Sequence, residues 1–417
     1  MNIKRFLIII YEKNLIQFLL IGLNGSNIIK IAYKKSRIYR NVYNFSITEF
    51  ILQYLTKWSI KLGFNLVKEM VPIVPQMEKD GVSEIFVFTY KDFKDLRAIT
   101  KNVIVKQTEV TKEGIQNIMK FFKFENLLYV SINNNYCSLV RFRKAERGSI
   151  KVVTEKKELF LNKYIKSIYF KNELKRFEGA IDYLKAFNIA LNFSYLPIFK
   201  IKTFECFLNE YILTNLVLSS FSKCYKLNLN TFGYGKMTEN MLIIGGERLR
   251  ITESIPLNLL SILTSLNIEG NFSVFVDNYG LFDILQTSKQ QFLADFVYYK
   301  FITKLWGNAV VINGDKKVKL DDIVADVTVK AGSSERQIIP MSGRILNFKF
   351  SDKGDVYIKT KNKYAIQYKM HELQEENLNG NFVIDARERP VKKAFNKLET
   401  SKELELIRNW MKGIDAL

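Results

Sequence analysis

Twice within its first 142 residues the chain places a tight polar turn between two apolar runs, each pair followed by an amphipathic stretch. The first pair is Phe18–Ile21 and Ile28–Tyr33 around Asn24-Gly25-Ser26-Asn27. The second is Leu127–Ile132 and Cys137–Phe142 around Asn133, Asn134 and Asn135. Apolar runs of strand length joined by such turns read as β-hairpins. Between them, Ile47 to Leu62 carries Phe50, Ile51, Tyr54, Leu55 and Trp58 on one helical face, and Val82 to Tyr90 reads as a buried strand. Helices are expected at about 111–122, 171–191 and 204–221. A strand from Asn240 to Ile244 then ends on Gly245-Gly246, followed by helix Ile255–Leu266 and strand Phe272–Val276. From Ala309 short strands alternate with turns: Ala309–Ile312, Ile323–Val329, Gln337–Ile339, Arg344–Phe350, Asp355–Lys359 and Asn381–Asp385. Ser401 to Met411 closes the chain as an amphipathic helix.

The order of elements implies an α/β protein of several packed domains. At 417 residues, with 47% apolar residues and only six prolines, the chain can bury a large core and has no linker tract. The expected division is a first α/β lobe over 1–125, a second over 126–305, a small β-rich domain over 306–390 and a helical tail over 391–417.

The formal charge of +21 is compatible with an anionic partner. No zinc-finger spacing or arginine-rich arm accompanies it, so a lysine-rich composition accounts for it better than a nucleic-acid surface. An anionic membrane surface stays open as an alternative. Cys137, Cys206 and Cys224 have no motif spacing, and His371 is the sole histidine, which removes histidine triads and multi-histidine metal sites. Asp315, Asp321 and Asp322 read as turn residues. The apolar start, Met1 to Leu23, is interrupted by Glu12 and Lys13 and reads as two buried strands, Phe6–Tyr11 and Ile16–Leu23, rather than a span or signal. The expected location is cytoplasmic, with membrane-peripheral attachment as the alternative.

Two hairpins followed by a strand with a Gly-Gly end resemble the order of nucleotide contacts in the actin/Hsp70/sugar-kinase (ASKHA) superfamily. More specifically, Leu242 to Leu249 (LIIGGERL), Val274 to Leu285 (VFVDNYGLFDIL) and Gly380 to Pro390 (GNFVIDARERP) resemble segments of the glutamate-mutase-L family, most clearly over 237–417. The Arg408-Asn409-Trp410 helix also fits that family's ending. The resemblance implies an actin-like, ribonuclease H-like fold of two related lobes, plus the small all-β unit and terminal helix. It also implies an ATPase thought to reactivate an adenosylcobalamin-dependent mutase.

Aligned on that family's phosphate loops, Gly25, Ser26 and Lys30 match the first loop, but Leu23 stands at its aspartate. In the second loop Ser131 and Ser138 stand at the aspartates, with Asn133 and Asn134 at the glycine pair. Carboxylates in such loops orient Mg²⁺ and the attacking water, roles that need anionic oxygen. Hydrolysis is therefore not expected. Gly25, Ser26, Lys30, Gly245, Gly246 and Glu247 form the expected nucleotide-binding remnant. Gly245-Gly246 would contact a nucleotide or simply allow close packing. Asp385, Arg387 and Arg389 would form either a partner-facing cluster or, preferred, an internal ion-pair network. No cofactor is expected; ATP with Mg²⁺ as a structural ligand stays open. The chain reads as a non-catalytic scaffold that binds a protein partner. The alternatives are an ATP-dependent reactivating chaperone of a cobalamin mutase and a membrane-peripheral actin-like platform.

Overall fold

The computed structural model describes residues 4–11, 15–24, 27–37, 47–62, 84–89, 97, 100, 103–105, 111, 114–116, 118, 122–133, 136–143, 155–160, 163–164, 166–175, 204–225, 229, 237–247, 254–287, 303–314, 319–361, 364–365, 372–387 and 400–416. They form two units: Met1–Phe121 with Tyr279–Ile302, and Phe122–Asn278 with Thr303–Leu417.

The first unit is built on a five-stranded sheet. Its strands are β1 (Lys4–Tyr11), β2 (Leu15–Asn24), β3 (Asn27–Arg37), β4 (Glu84–Thr89) and β5 (Val103–Val105), in the order β3-β2-β1-β4-β5. β1, β2 and β3 form an antiparallel meander, while β4 and β5 join parallel to β1. The apolar runs of β1 and β2 are buried on both faces, as strands central to a covered sheet must be. Leu7, Ile9, Tyr11, Phe18, Leu20, Ile85 and Val87 meet helix α1 (Ile47–Leu62) through Ile51, Leu55 and Trp58, which recur every three to four residues. Phe18 stacks on Tyr54 with ring centroids 4.7 Å apart.

The second unit carries β6 (Asn126–Ile132), β7 (Tyr136–Arg143), β8 (Glu155–Phe160), helix α2 (Ile168–Lys175), helix α3 (Phe204–Tyr225), β9 (Asn240–Gly245), helix α4 (Ile255–Ser265) and β10 (Gly270–Val276). Its strands run β8-β7-β6-β9-β10, with β6–β8 antiparallel and β9 and β10 parallel to β6. Strand order and orientation repeat those of the first unit. This duplicated mixed sheet is the actin-like, ribonuclease H-like arrangement. Helix α5 (Leu281–Thr287) belongs to the first unit.

The sheet of the second unit continues past β10. Strands β11 (Lys304–Val311), β12 (Asn313–Gly314), β13 (Ala325–Ala331), β14 (Ser334–Ile338), β15 (Ile345–Thr360), β16 (Tyr364–Ala365) and β17 (Glu372–Asp385) precede the closing helix α6 (Thr400–Gly413). All but the β12–β16 ribbon extend the sheet as β10-β11-β17-β15-β13-β14, making ten strands. The strands of the small β-rich region expected over 306–390 share this sheet: the end of β17 pairs with both β11 and β15. Residues 279–302 group with the first unit.

Two cores support this sheet. On one face, Leu128, Val130, Leu242, Ile244, Val274 and Val383 meet α3, α4 and α6. On the other, Val310, Phe382 and Ile384 pack with Val327, Val356 and Ile358 of the extension. The long β15 changes register between Phe350 and Gly354 and again before Val356, irregularities of the kind that bend a strand.

Candidate functional site

The carboxyl ends of the parallel strands β6, β9 and β10 lie side by side in the second unit, the end of a sheet at which α/β proteins place ligands. There β6 runs into its turn at Ser131, Ile132 and Asn133, and β9 into Gly245, Gly246 and Glu247. β10 leads into Asp277, whose N–H donates to the Ile244 carbonyl at 2.9 Å.

The Gly-Gly step has a steric cause within the chain. Gly246 has φ +103°, and a Cβ there would overlap the amide nitrogen and carbonyl oxygen of Ile132. A Cβ on Gly245 would come 2.6 Å from the Tyr129 hydroxyl oxygen. The polar groups around the step bond to each other. The Glu247 N–H donates to Asn133 Oδ1 at 2.8 Å, and Asn133 Nδ2 donates to Ser131 Oγ at 2.9 Å. The Asn133 N–H closes the hairpin on the Tyr136 carbonyl at 2.9 Å. Ser131 pairs across the hairpin with Ser138, and both are buried. The Tyr129 hydroxyl donates to Asp277 Oδ2 at 3.4 Å.

Two carboxylic acids, Glu247 and Asp277, are thus buried at this end of the sheet, 3% and 0% exposed. Among the described residues no three histidine, cysteine, aspartate or glutamate side chains gather as metal ligands. Asp277 and Tyr129 were not among the residues singled out in the sequence. The available signal was an acid directly following a fully buried strand, Gly270–Val276. In the first unit Leu23 lies in β2 opposite Ile28, and Lys30 lies in β3 opposite Ile21. Gly25, Ser26, Asn134, Arg389, Asp315 and His371 lie outside the described residues.

Asp385 and Arg387 are 0% and 1% exposed, so neither side chain is presented on the surface of the unit. Arg387 Nε donates to Asp385 Oδ1 at 2.8 Å and Nη2 to Oδ2 at 2.6 Å, a bidentate pair. Nη1 donates to Thr264 Oγ1 at 2.8 Å, and the Arg387 N–H also bonds Asp385 Oδ1. The guanidinium lies 4.8 Å from the Trp410 ring centroid, and Trp410 Nε1 donates to the Gly343 carbonyl at 2.7 Å. Burial by itself would lower the Arg387 pKa, but the adjoining Asp385 carboxylate overrides it and leaves the group above its ordinary value. Burial raises Tyr211, which shares Thr264, although the Arg387 charge opposes that shift. This network ties α3, α4, the end of β17 and α6 together. Asp321 and Asp322 serve a turn: Asp321 has φ +67° and pairs with Arg344 at 2.8 Å, and Asp322 Oδ2 accepts the Lys319 N–H.

No protein-family model matches the chain, and no match was found among curated proteins. Among solved structures it is similar to ethanolamine utilization protein EutJ from Carboxydothermus hydrogenoformans, at 9% identity, 71% of this chain, 91% of that chain and a TM-score of 0.35. It is also similar to an exopolyphosphatase from Cytophaga hutchinsonii, at 10% identity, 72% of this chain, 88% of that chain and a TM-score of 0.31. The Aquifex aeolicus member of the Ppx/GppA family matches at 11% identity and a TM-score of 0.26. That match covers 43% of this chain and spans 62% of the other chain's length. At these scores the assignment of an actin-like α/β fold rests on the repeated strand order of the two units.

Proposed function

We propose that the chain is a non-catalytic scaffold or adaptor on an actin-like fold, acting by binding another protein in the cytoplasm. The observation that supports this best is the closure of the second hairpin upon itself. Ser131, Asn133 and the Glu247 amide satisfy one another, and the Ile132 backbone fills the space that Gly246 leaves. In an ATPase of this fold those groups would face a phosphate chain and its metal. Neutral Ser131 and Ser138 supply no anionic oxygen for Mg²⁺, and Leu23 supplies none at the first hairpin. Neither hairpin thus offers an anionic ligand to a magnesium-bound triphosphate, and no chemical step is assigned to it. Titrating ATP into the protein by calorimetry, with and without Mg²⁺, tests the proposal: no Mg²⁺-dependent heat is expected. Micromolar binding accompanied by turnover overturns it.

A second reading is favoured by one specific observation, the two buried carboxylates Glu247 and Asp277 at the strand ends. With the glutamate-mutase-L-like motifs over 237–417, they support an ATP-dependent reactivating chaperone of an adenosylcobalamin-dependent mutase. That activity requires turnover in the same titration.

A further inference from the structure

We propose that the β7–β8 edge of the second unit, together with α2, is a docking face for an anionic lipid surface. From Arg141 to Arg176 the sequence holds twelve lysines and arginines against four glutamates, a net of +8 of the total +21, and eight of the twelve lie among the described residues of β7, β8, α2 and the segment before α2. Of the described side chains, Arg143, Lys163, Lys166, Lys171 and Lys175 are all exposed. β8 is one of the two edge strands of the ten. Lysines on an edge strand would by themselves only discourage strand-to-strand aggregation.

Two apolar side chains make the edge more than that. Phe160, which ends β8, is 50% exposed, and Ile168, which opens α2, is 64% exposed. Both are held in place. The Phe160 ring lies 6.3 Å from that of Tyr136 on the neighbouring strand, with the Lys163 ammonium 5.9 Å from its centroid. The α2 segment is anchored by buried Phe170, whose ring packs edge-on to Tyr164 at 5.5 Å. An exposed cation against a protruding ring, as at Lys163 and Phe160, and further exposed lysines on the segment that carries Ile168 match the boundary between anionic headgroups and acyl chains, where both signals are needed for stable attachment. Nucleic acid would use the cations and could stack on Phe160, but an aliphatic Ile168 offers a base no π-face. This face does not depend on whether the hairpin ends bind nucleotide, so its test and the calorimetric one fail separately.

The experiment is flotation of the full chain with phosphatidylserine/phosphatidylcholine vesicles and with pure phosphatidylcholine vesicles, at low and high salt. Binding is expected to the anionic vesicles only, and to weaken with salt. Charge reversal by Lys163→Glu, Lys166→Glu and Lys171→Glu together should weaken it on the order of a hundredfold or more. Phe160→Ser with Ile168→Ser should weaken it roughly tenfold. Thermal unfolding of both variants should match the parent, since all five side chains are exposed. Equal binding to both vesicle types, binding to neither, or variants that bind like the parent would overturn the proposal. Displacement of the vesicles by duplex DNA or RNA at lower concentration would also overturn it, in favour of a nucleic-acid face.

Discussion

Truncating Arg387 to alanine removes three guanidinium hydrogen bonds and leaves the Asp385 carboxylate, 0% exposed, without its counter-charge. Breaking one side of a buried ion pair costs about 3–5 kcal/mol, and loss of the cation over the Trp410 ring adds about 1 kcal/mol. Against a typical domain stability of about 5–15 kcal/mol, that loss is severe. Asp385→Leu should cost a similar amount, because it strands the buried guanidinium. The double variant Asp385→Leu/Arg387→Met removes both charges, and well-packed apolar replacements of buried pairs are near neutral. It still leaves the main-chain N–H of residue 387 short of a partner, at about 1 kcal/mol, while Thr264 Oγ1 keeps its bonds to the Leu260 carbonyl and the Tyr211 hydroxyl. The double variant should therefore be more stable than Asp385→Leu or Arg387→Met alone, and the cycle built on those two substitutions should show a coupling energy of at least about 3 kcal/mol. Urea unfolding followed by fluorescence suits the test, since Trp410, one of three tryptophans, packs on the network. Additive effects, or an Arg387→Ala cost below about 1 kcal/mol, would refute the account of Asp385 and Arg387 as an internal clamp.

Gly246→Ala forces a Cβ into the Ile132 backbone at positive φ and should cost roughly 2–4 kcal/mol by the same unfolding assay; a neutral result would mean the Gly-Gly step is free to accept a ligand. Burial pushes the Cys137 thiol from 9.0 up to about 12. The thiol's stabilising contribution is thus complete below about pH 9 and is lost progressively as pH rises toward 12, because only the unfolded state ionises over that window. Between about pH 9 and 10 the parent should lose about 1 kcal/mol more than Cys137→Ala; parallel curves would contradict the burial.

Much of the fold was legible because burial and period coincide. β1, β2, β6, β9 and β10 are each built on a mostly apolar run, and Ile47–Leu62 is delimited as α1 by its own stripe. What was missed lies where side chains carry little burial signal. β8 (EKKELF) is charged because it is an edge, and the first half of β17 (ELQEENLNG) is polar because it belongs to a solvated extension. The turn-like Ser351-Asp352-Lys353-Gly354 suggested two strands; the ladder with β17 instead carries one bent strand, Ile345–Thr360, past it. The continuity of the extension with the sheet is illegible for a related reason: the pairing of β17 with β11 spans some 70 residues and leaves no local trace. At the candidate site, Gly245, Gly246 and Glu247 stand out in the sequence because a Gly-Gly step follows an apolar strand. Tyr129 and Asp277 were not, because their contact links positions 148 residues apart.

Phosphate release from ATP in the presence of Mg²⁺, comparing the parent chain with Glu247→Gln and Asp277→Asn, tests the central claim most directly. A chain whose hairpin polar groups are spent on one another should release no phosphate above the buffer rate, in the parent or in either variant. Steady release by the parent that either substitution abolishes would show these buried carboxylates at work on a nucleotide, and the scaffold proposal would be wrong.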